Sequence, residues 1–168
     1  MLDDDEGKPV NKHLDELDSS LTVKRNTTAT RQQVWDVIAN GWTYSQWVVG
    51  NSRMRAVDPA WPAVGSTISH SIGVWPLLLD DKTVVEDCQP LEQLVLLAKG
   101  RPFGKARVTL RLFDIETGCR IEMAEVPVGA PMGWVPKRLA LTAALPRNRE
   151  CTLRLAMMAE RKRPDDLE

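Results

Sequence analysis

Aromatic side chains other than tryptophan are scarce: the 168 residues hold two phenylalanines, one tyrosine and two histidines. With only His13 and His70 available, a histidine-rich metal centre is excluded. The three cysteines, Cys88, Cys119 and Cys151, are odd in number and roughly thirty residues apart. That spacing fits neither a disulfide framework nor the close pairs of a zinc site, and it points to a reducing, cytoplasmic setting. Neither sign of charge dominates, with 22 basic against 23 acidic residues, so no nucleic-acid partner is implied. No run of eighteen apolar residues occurs, and MLDDDEGKPV is acidic where a signal peptide is basic and then apolar; integral membrane association is not expected. Nucleotide loops and nucleophile motifs are also missing: there is no G-x-S-x-G, no P-loop, and no G-x-G-x-x-G after a strand. No cofactor is therefore expected.

What the chain does have is six tryptophans, five of them (Trp35, Trp42, Trp47, Trp61 and Trp75) in its first half. Indole brings a large apolar area and one donor, so such a group builds a core or lines a cavity. Trp61 and Trp134 are candidates for surface aromatics. Residues 1–19 are polar and Asp-rich and read as a loose arm, 20–163 as one domain, and 164–168 as a tail.

After a short strand near Leu21 and Val23, Thr30 can cap a helix in which Val34, Trp35, Ile38 and Trp42 recur at helical spacing. WTYSQWVVGN reads as a second short helix ended by Gly50, and SRMRAVD as a strand. Four further strands follow, over Ser66–Trp75, Lys82–Cys88, Gln93–Lys99 and Lys105–Ile115, punctuated by Pro76, Pro90 and Gly100-Arg101-Pro102. RVTLRL turns Val108, Leu110 and Leu112 inward. CRIEMAEVP then puts Cys119, Ile121, Met123 and Glu125 on one face. An irregular link over 128–145, with a helical turn or two at Lys137 to Ala144, precedes an amphipathic helix starting at Pro146. The order is α+β, and a curved antiparallel sheet of this size needs the terminal helix across its concave face.

Two polar residues interrupt apolar rows. In TISHSIGVWP strict alternation places Ile68, His70, Ile72 and Val74 on one side, so His70 faces inward. It is either a general acid or base or a buried histidine bonded to Ser69, Ser71 or a carbonyl. Glu125 sits in the row of Met123, as a second catalytic candidate or as a rim carboxylate paired with an arginine such as Arg101.

The segments VWDVI with Trp47 nearby, WPAVGSTISHSIGVWP, RPFGKARVTLRL, IEMAEVPVGAP and RNRECTLRLAMMAERK together resemble the SRPBCC, or START-like, superfamily from about Ser20 to Lys162. The resemblance is to its small single-domain members, the polyketide cyclase/dehydrase and lipid-transport type. It implies a helix-grip fold: a strand, two short helices, six more strands and a long C-terminal helix gripped by a sheet of about seven strands. It also implies an apolar cavity between sheet and helix, for which the candidate lining is Trp42, Trp47, Ile68, His70, Ile72, Val74, Leu110, Leu112, Met123, Glu125, Leu155 and Met158. Three functions are compatible with that fold. These are binding of an apolar small molecule or lipid-like ligand, cyclase/dehydratase-like catalysis through His70 and Glu125, and regulation of a protein partner.

Overall fold

The computed structural model describes residues 22–74, 76–100, 104–128 and 137–161; for 74, 100 and 137–143 it describes the backbone alone. The expected arm, His13, Trp75, Arg101, Trp134 and the tail lie outside the described residues. Strand β1 (Val23–Thr27) leads into α1 (Arg31–Ala39). Thr30 opens this helix with a reciprocal cap: its hydroxyl accepts from Gln33 N–H at 3.2 Å, and Gln33 Oε1 accepts from Thr30 N–H at 2.8 Å. Two of the four orphan N–H groups of the first turn are thereby satisfied. The helix ends at Ala39, before Trp42, which falls in a 3-10 turn (Gly41–Thr43) and is exposed. Helix α2 (Tyr44–Trp47) follows at once.

Six strands complete an antiparallel sheet: β2 (Asn51–Val57), β3 (Thr67–Val74), β4 (Leu77–Gln89), β5 (Gln93–Gly100), β6 (Gly104–Ile115) and β7 (Gly118–Val128). Their spatial order is β1-β7-β6-β5-β4-β3-β2. Strands β1 and β2, consecutive in the chain, thus hold opposite edges, and α1 and α2 carry the chain from one to the other. Register shifts in β2 and between Val85 and Asp87 of β4 mark bulges, which bend strands and help the sheet curve.

Strand β4 begins five residues earlier than the sequence pattern indicates. Its first residues, Leu77 to Asp80, pair with Val74 back to Ser71 of β3, but Leu77, Leu78 and Leu79 are all exposed, so no alternation betrays the strand. The hairpin is tight at Gly73, where φ is +101° and a Cβ would stand 2.3 Å from the Leu77 carbonyl oxygen. Only glycine avoids both the conformational and the steric cost there.

The last element, α3 (Lys137–Arg161), is one helix that runs through Pro146. The proline removes the bond to the carbonyl of residue 142, which is why the sequence reads as a break there. Its close packing is with β1, β7, α1 and α2. Cys151, Leu155, Ala156 and Ala159 are buried in the same core as Val34, Trp35 and Ile38 of α1 and Cys119, Ile121 and Met123 of β7. Near the helix's far end, Glu160 Oε1 accepts from Thr27 Oγ1 at 2.6 Å and from Thr28 N–H at 3.2 Å, tying α3 to the end of β1. Trp61, expected at the surface, is buried instead, and its indole N–H donates to the Ile38 carbonyl at 3.2 Å.

If the grip on α3 holds the fold, Leu155→Ala should cost about 2–5 kcal/mol in denaturant unfolding, while Leu153→Ala, on the exposed side of the same turn, should change it by less than about 0.5 kcal/mol. Equal effects would show that α3 is not packed as described.

Candidate functional site

Because α3 packs on β1 and β7, it leaves a gap over the middle strands at the end of the sheet where β3 meets β4 and β5 meets β6. The gap is a cavity of about 370 Å³, within the usual range of small-molecule sites, about 300–1,000 Å³. Its walls are Tyr44 and Trp47 of α2, Val48 to Asn51 after it, His70 and Ile72 of β3, Asp81 of β4, Leu96 and Ala98 of β5, Ala106 and Val108 of β6, Met123, Glu125 and Pro127 of β7, and Ala144 and Arg147 of α3, with Lys99, Gly104 and Lys105 at one end.

Five of the residues expected at the site meet here: Trp47, His70, Ile72, Met123 and Glu125. Of the others, those with described side chains do not line the cavity. Ile68, Leu110, Leu112 and Leu155 are buried in the core, Met158 packs partly buried against it, and Trp42 is exposed. The side chain of Val74 lies outside the described residues. The physical reason is that alternation selects a whole inward row, whereas α1 and Trp61 fill one end of the concave face and leave the other open. Strand β3 shows the split within one row: Ile68 belongs to the filled end, and His70 and Ile72 to the open one.

The His70 ring does not bond to Ser69 or Ser71. Its Nε2 lies 3.0 Å from Thr83 Oγ1, which in turn is 3.4 Å from the Tyr44 hydroxyl, and the Tyr44 and His70 rings sit 5.5 Å apart. Burial, with a further push from Arg55, lowers the His70 pKa to about 4, so the imidazole is neutral at pH 7. Burial likewise pushes the Tyr44 phenol up to about 12. Across the cavity the Glu125 carboxylate forms an ion pair with Arg147. Cys151 anchors the wall behind α2: its Sγ accepts the Val49 N–H at 3.3 Å, and burial pushes the thiol pKa up.

On residues that line the cavity, Trp47 Nε1, Asn51 Oδ1 and His70 Nδ1 are buried and have no hydrogen-bond partner among the described residues. Each such atom costs about 1–3 kcal/mol if left dry. Sequence reasoning missed Tyr44, Asn51, Asp81, Thr83 and Arg147. Extending the inward alternation of β4 back from Val85 through Thr83 to Asp81 would have found two of them; Arg147 follows Pro146 and was hidden by reading that proline as a helix start. Among the described residues, no three His, Cys, Asp or Glu side chains converge to hold a metal, and no helix is long and apolar enough to cross a membrane.

The neutral, buried imidazole has a measurable consequence. The unfolded chain takes up a proton at its histidine below about pH 6.5, while the folded protein resists until about pH 4. Stability contributed by this residue is therefore intact above pH 6.5 and falls as pH drops towards 4, by at most about 3 kcal/mol. Urea unfolding at pH 7 and pH 4.5 should show a smaller acid loss in His70→Gln than in the parent protein; identical losses would mean that the ring is protonated when folded.

No family model matches the chain, and no curated protein matches it in sequence. Its fold does match solved structures. A protein of unknown function from Staphylococcus aureus superposes with a TM-score of 0.65 at 10% identity, over 83% of this chain and 91% of that one. A structural-genomics protein from Rhodobacter sphaeroides gives 0.63 at 22% identity, over 83% and 91%. Ara h 8.0201 gives 0.58 at 7% identity, over 83% and 96%. At these identities the matches concern architecture: the chain has the helix-grip α+β fold, a curved seven-stranded antiparallel sheet closed by a C-terminal helix.

Proposed function

We propose that this protein binds an apolar small molecule or lipid-like ligand in the cavity between the sheet and α3. The observation that carries the reading is a mostly apolar chamber, walled by Trp47, Val48, Val49, Ile72, Leu96 and Val108 and edged by a few polar residues, among them Asn51, His70 and the Glu125–Arg147 pair. That combination suits a ligand held by burial of its apolar surface and oriented by a small number of hydrogen bonds.

A cyclase/dehydratase-like reaction is the second reading, favoured by the meeting of His70 and Glu125 at one cavity from strands on different parts of the sheet. Two features weigh against it. Glu125 is engaged by Arg147, and an imidazole with a pKa of about 4 is a feeble base at pH 7. The structural neighbours lend no activity to either reading, since one fold hosts many functions.

Native mass spectrometry of freshly purified protein should reveal a bound small molecule that is released on denaturation. Ala98→Trp, which places an indole in the cavity, should lower the affinity for an apolar probe at least about tenfold without unfolding the domain. His70→Ala with Glu125→Ala should leave most apolar affinity in place, whereas an acid-base enzyme would lose about two to four orders of magnitude in rate. Unchanged probe binding by Ala98→Trp would remove the cavity as the binding site.

A further inference from the structure

The hairpin between β3 and β4 reaches past its neighbours. Among the described residues, β4 pairs with β5 only from Thr83 onward, and β3 pairs with β2 only as far as Ile72. One further bond, from Gly73 N–H to the Gly50 carbonyl at 3.3 Å, ties the ribbon to the cavity wall. Beyond it the two strands hold only each other, Gly73 opposite Leu78 and Val74 opposite Leu77. Directly opposed residues share a face and successive ones alternate. Leu79, opposite Ile72, therefore stands with Leu77 on the face that lines the cavity, and Leu78 stands on the other. Leu77 is 80% exposed, Leu78 41% and Leu79 45%.

A ribbon that is apolar on both faces is poorly served by a flat partner, because docking on one face leaves the other in water. Arg53, Asp80 and Lys82 beside the leucines are also exposed, whereas the centre of a protein interface is depleted of charge. A bilayer surrounds what enters it and so covers both faces.

The charges behind the leucines fit anionic headgroups. Arg53 is opposite Ser71, the partner of Asp80, and so lies one residue behind Leu79. Lys99 follows Ala98, the partner of Thr83, and is paired with Lys105, so both stand level with Lys82, three residues behind Leu79. At about 3.3 Å per residue these cations trail Leu79 by about 3–10 Å along the strands, comparable to the about 5–10 Å over which interfacial segments are buried. The nearby carboxylates are engaged: Asp80 by Arg55 at 2.5 Å, Glu125 by Arg147, and the buried Asp81 by Lys82 N–H at 2.7 Å. The described charges leave this end of the sheet positive.

We propose that the β3–β4 hairpin is a lipid-contact surface: Leu77, Leu78 and Leu79 enter the interface of a bilayer with anionic headgroups, and Arg53, Lys82, Lys99 and Lys105 meet its phosphates. The contact is peripheral. It goes beyond the cavity-binding reading and does not depend on it, since none of the three leucines lines the chamber.

Co-sedimentation with vesicles tests it, using phosphatidylcholine alone and phosphatidylcholine with about one third phosphatidylglycerol. The full chain should bind the anionic vesicles at least about tenfold more tightly than the neutral ones and lose that margin as salt rises. Leu77→Ser with Leu79→Ser should lower the partition at least about tenfold, the effect of withholding one leucine from an apolar medium. Circular dichroism and the unfolding midpoint should stay as in the parent, because both side chains are exposed. Val64→Ser, which alters an exposed apolar side chain before the opposite end of β3, should leave vesicle binding unchanged. Failure of the full chain to bind anionic vesicles, or undiminished binding by the double leucine variant, would overturn the proposal. So would a self-associating protein that the two substitutions turn monomeric while vesicles leave it unbound, which would assign the surface to a second copy. Apolar-probe affinity is read separately: vesicle binding lost with probe binding intact removes only the lipid surface, and the reverse removes only the chamber.

Discussion

The placement of α3 determines the rest. A curved sheet has one concave face, and a single helix is too narrow to cover seven strands; packed against β1 and β7 and braced by α1, it leaves the middle strands partly uncovered. Burial of Cys151, Leu155 and Ala159 goes with that choice, since the element that carries them packs on β1, β7, α1 and α2. The cavity is the remainder of this packing. Its apolar character follows without further assumption, since its walls are the inward rows of strands that elsewhere build the core.

Polar groups in such a remainder are costly unless paired, which makes their distribution informative. Most are paired: Glu125 with Arg147, Thr83 with Tyr44 and His70, and Val49 N–H with Cys151. Among the described residues, the buried atoms without a partner include three on residues that line the chamber, Trp47, Asn51 and His70, and one on Asn148, away from it.

Much of the architecture was legible in the sequence because it rests on local periodicity. The rows Val108, Leu110, Leu112 and Cys119, Ile121, Met123 alternate cleanly, and all six residues are buried. His70 was legible for the same reason. The errors arise where local pattern and tertiary context part. Leu77 to Leu79 form a strand although they are exposed, Pro146 lies inside a helix although it breaks the ladder, and Trp61 is buried although no periodic row contains it. The site was legible only in part: periodicity says which residues face in, but which end of each row meets a void depends on α1 and Trp61, elements far away in the chain.

The proline inside α3 gives that helix two unequal parts. Beyond it, the helix is welded to the core and clasped at its end by Glu160 on Thr27 and Thr28. Before it, the backbone ladder has lost the rung at residue 142, and the turns there approach the cavity through Ala144. A helix built this way can let its first turns open without surrendering the packing that keeps the domain folded. The wall of the chamber and the keystone of the fold are thus the same element, separated by a single missing hydrogen bond, so that substitutions on the cavity side of Pro146 can reshape the chamber while the protein stays folded.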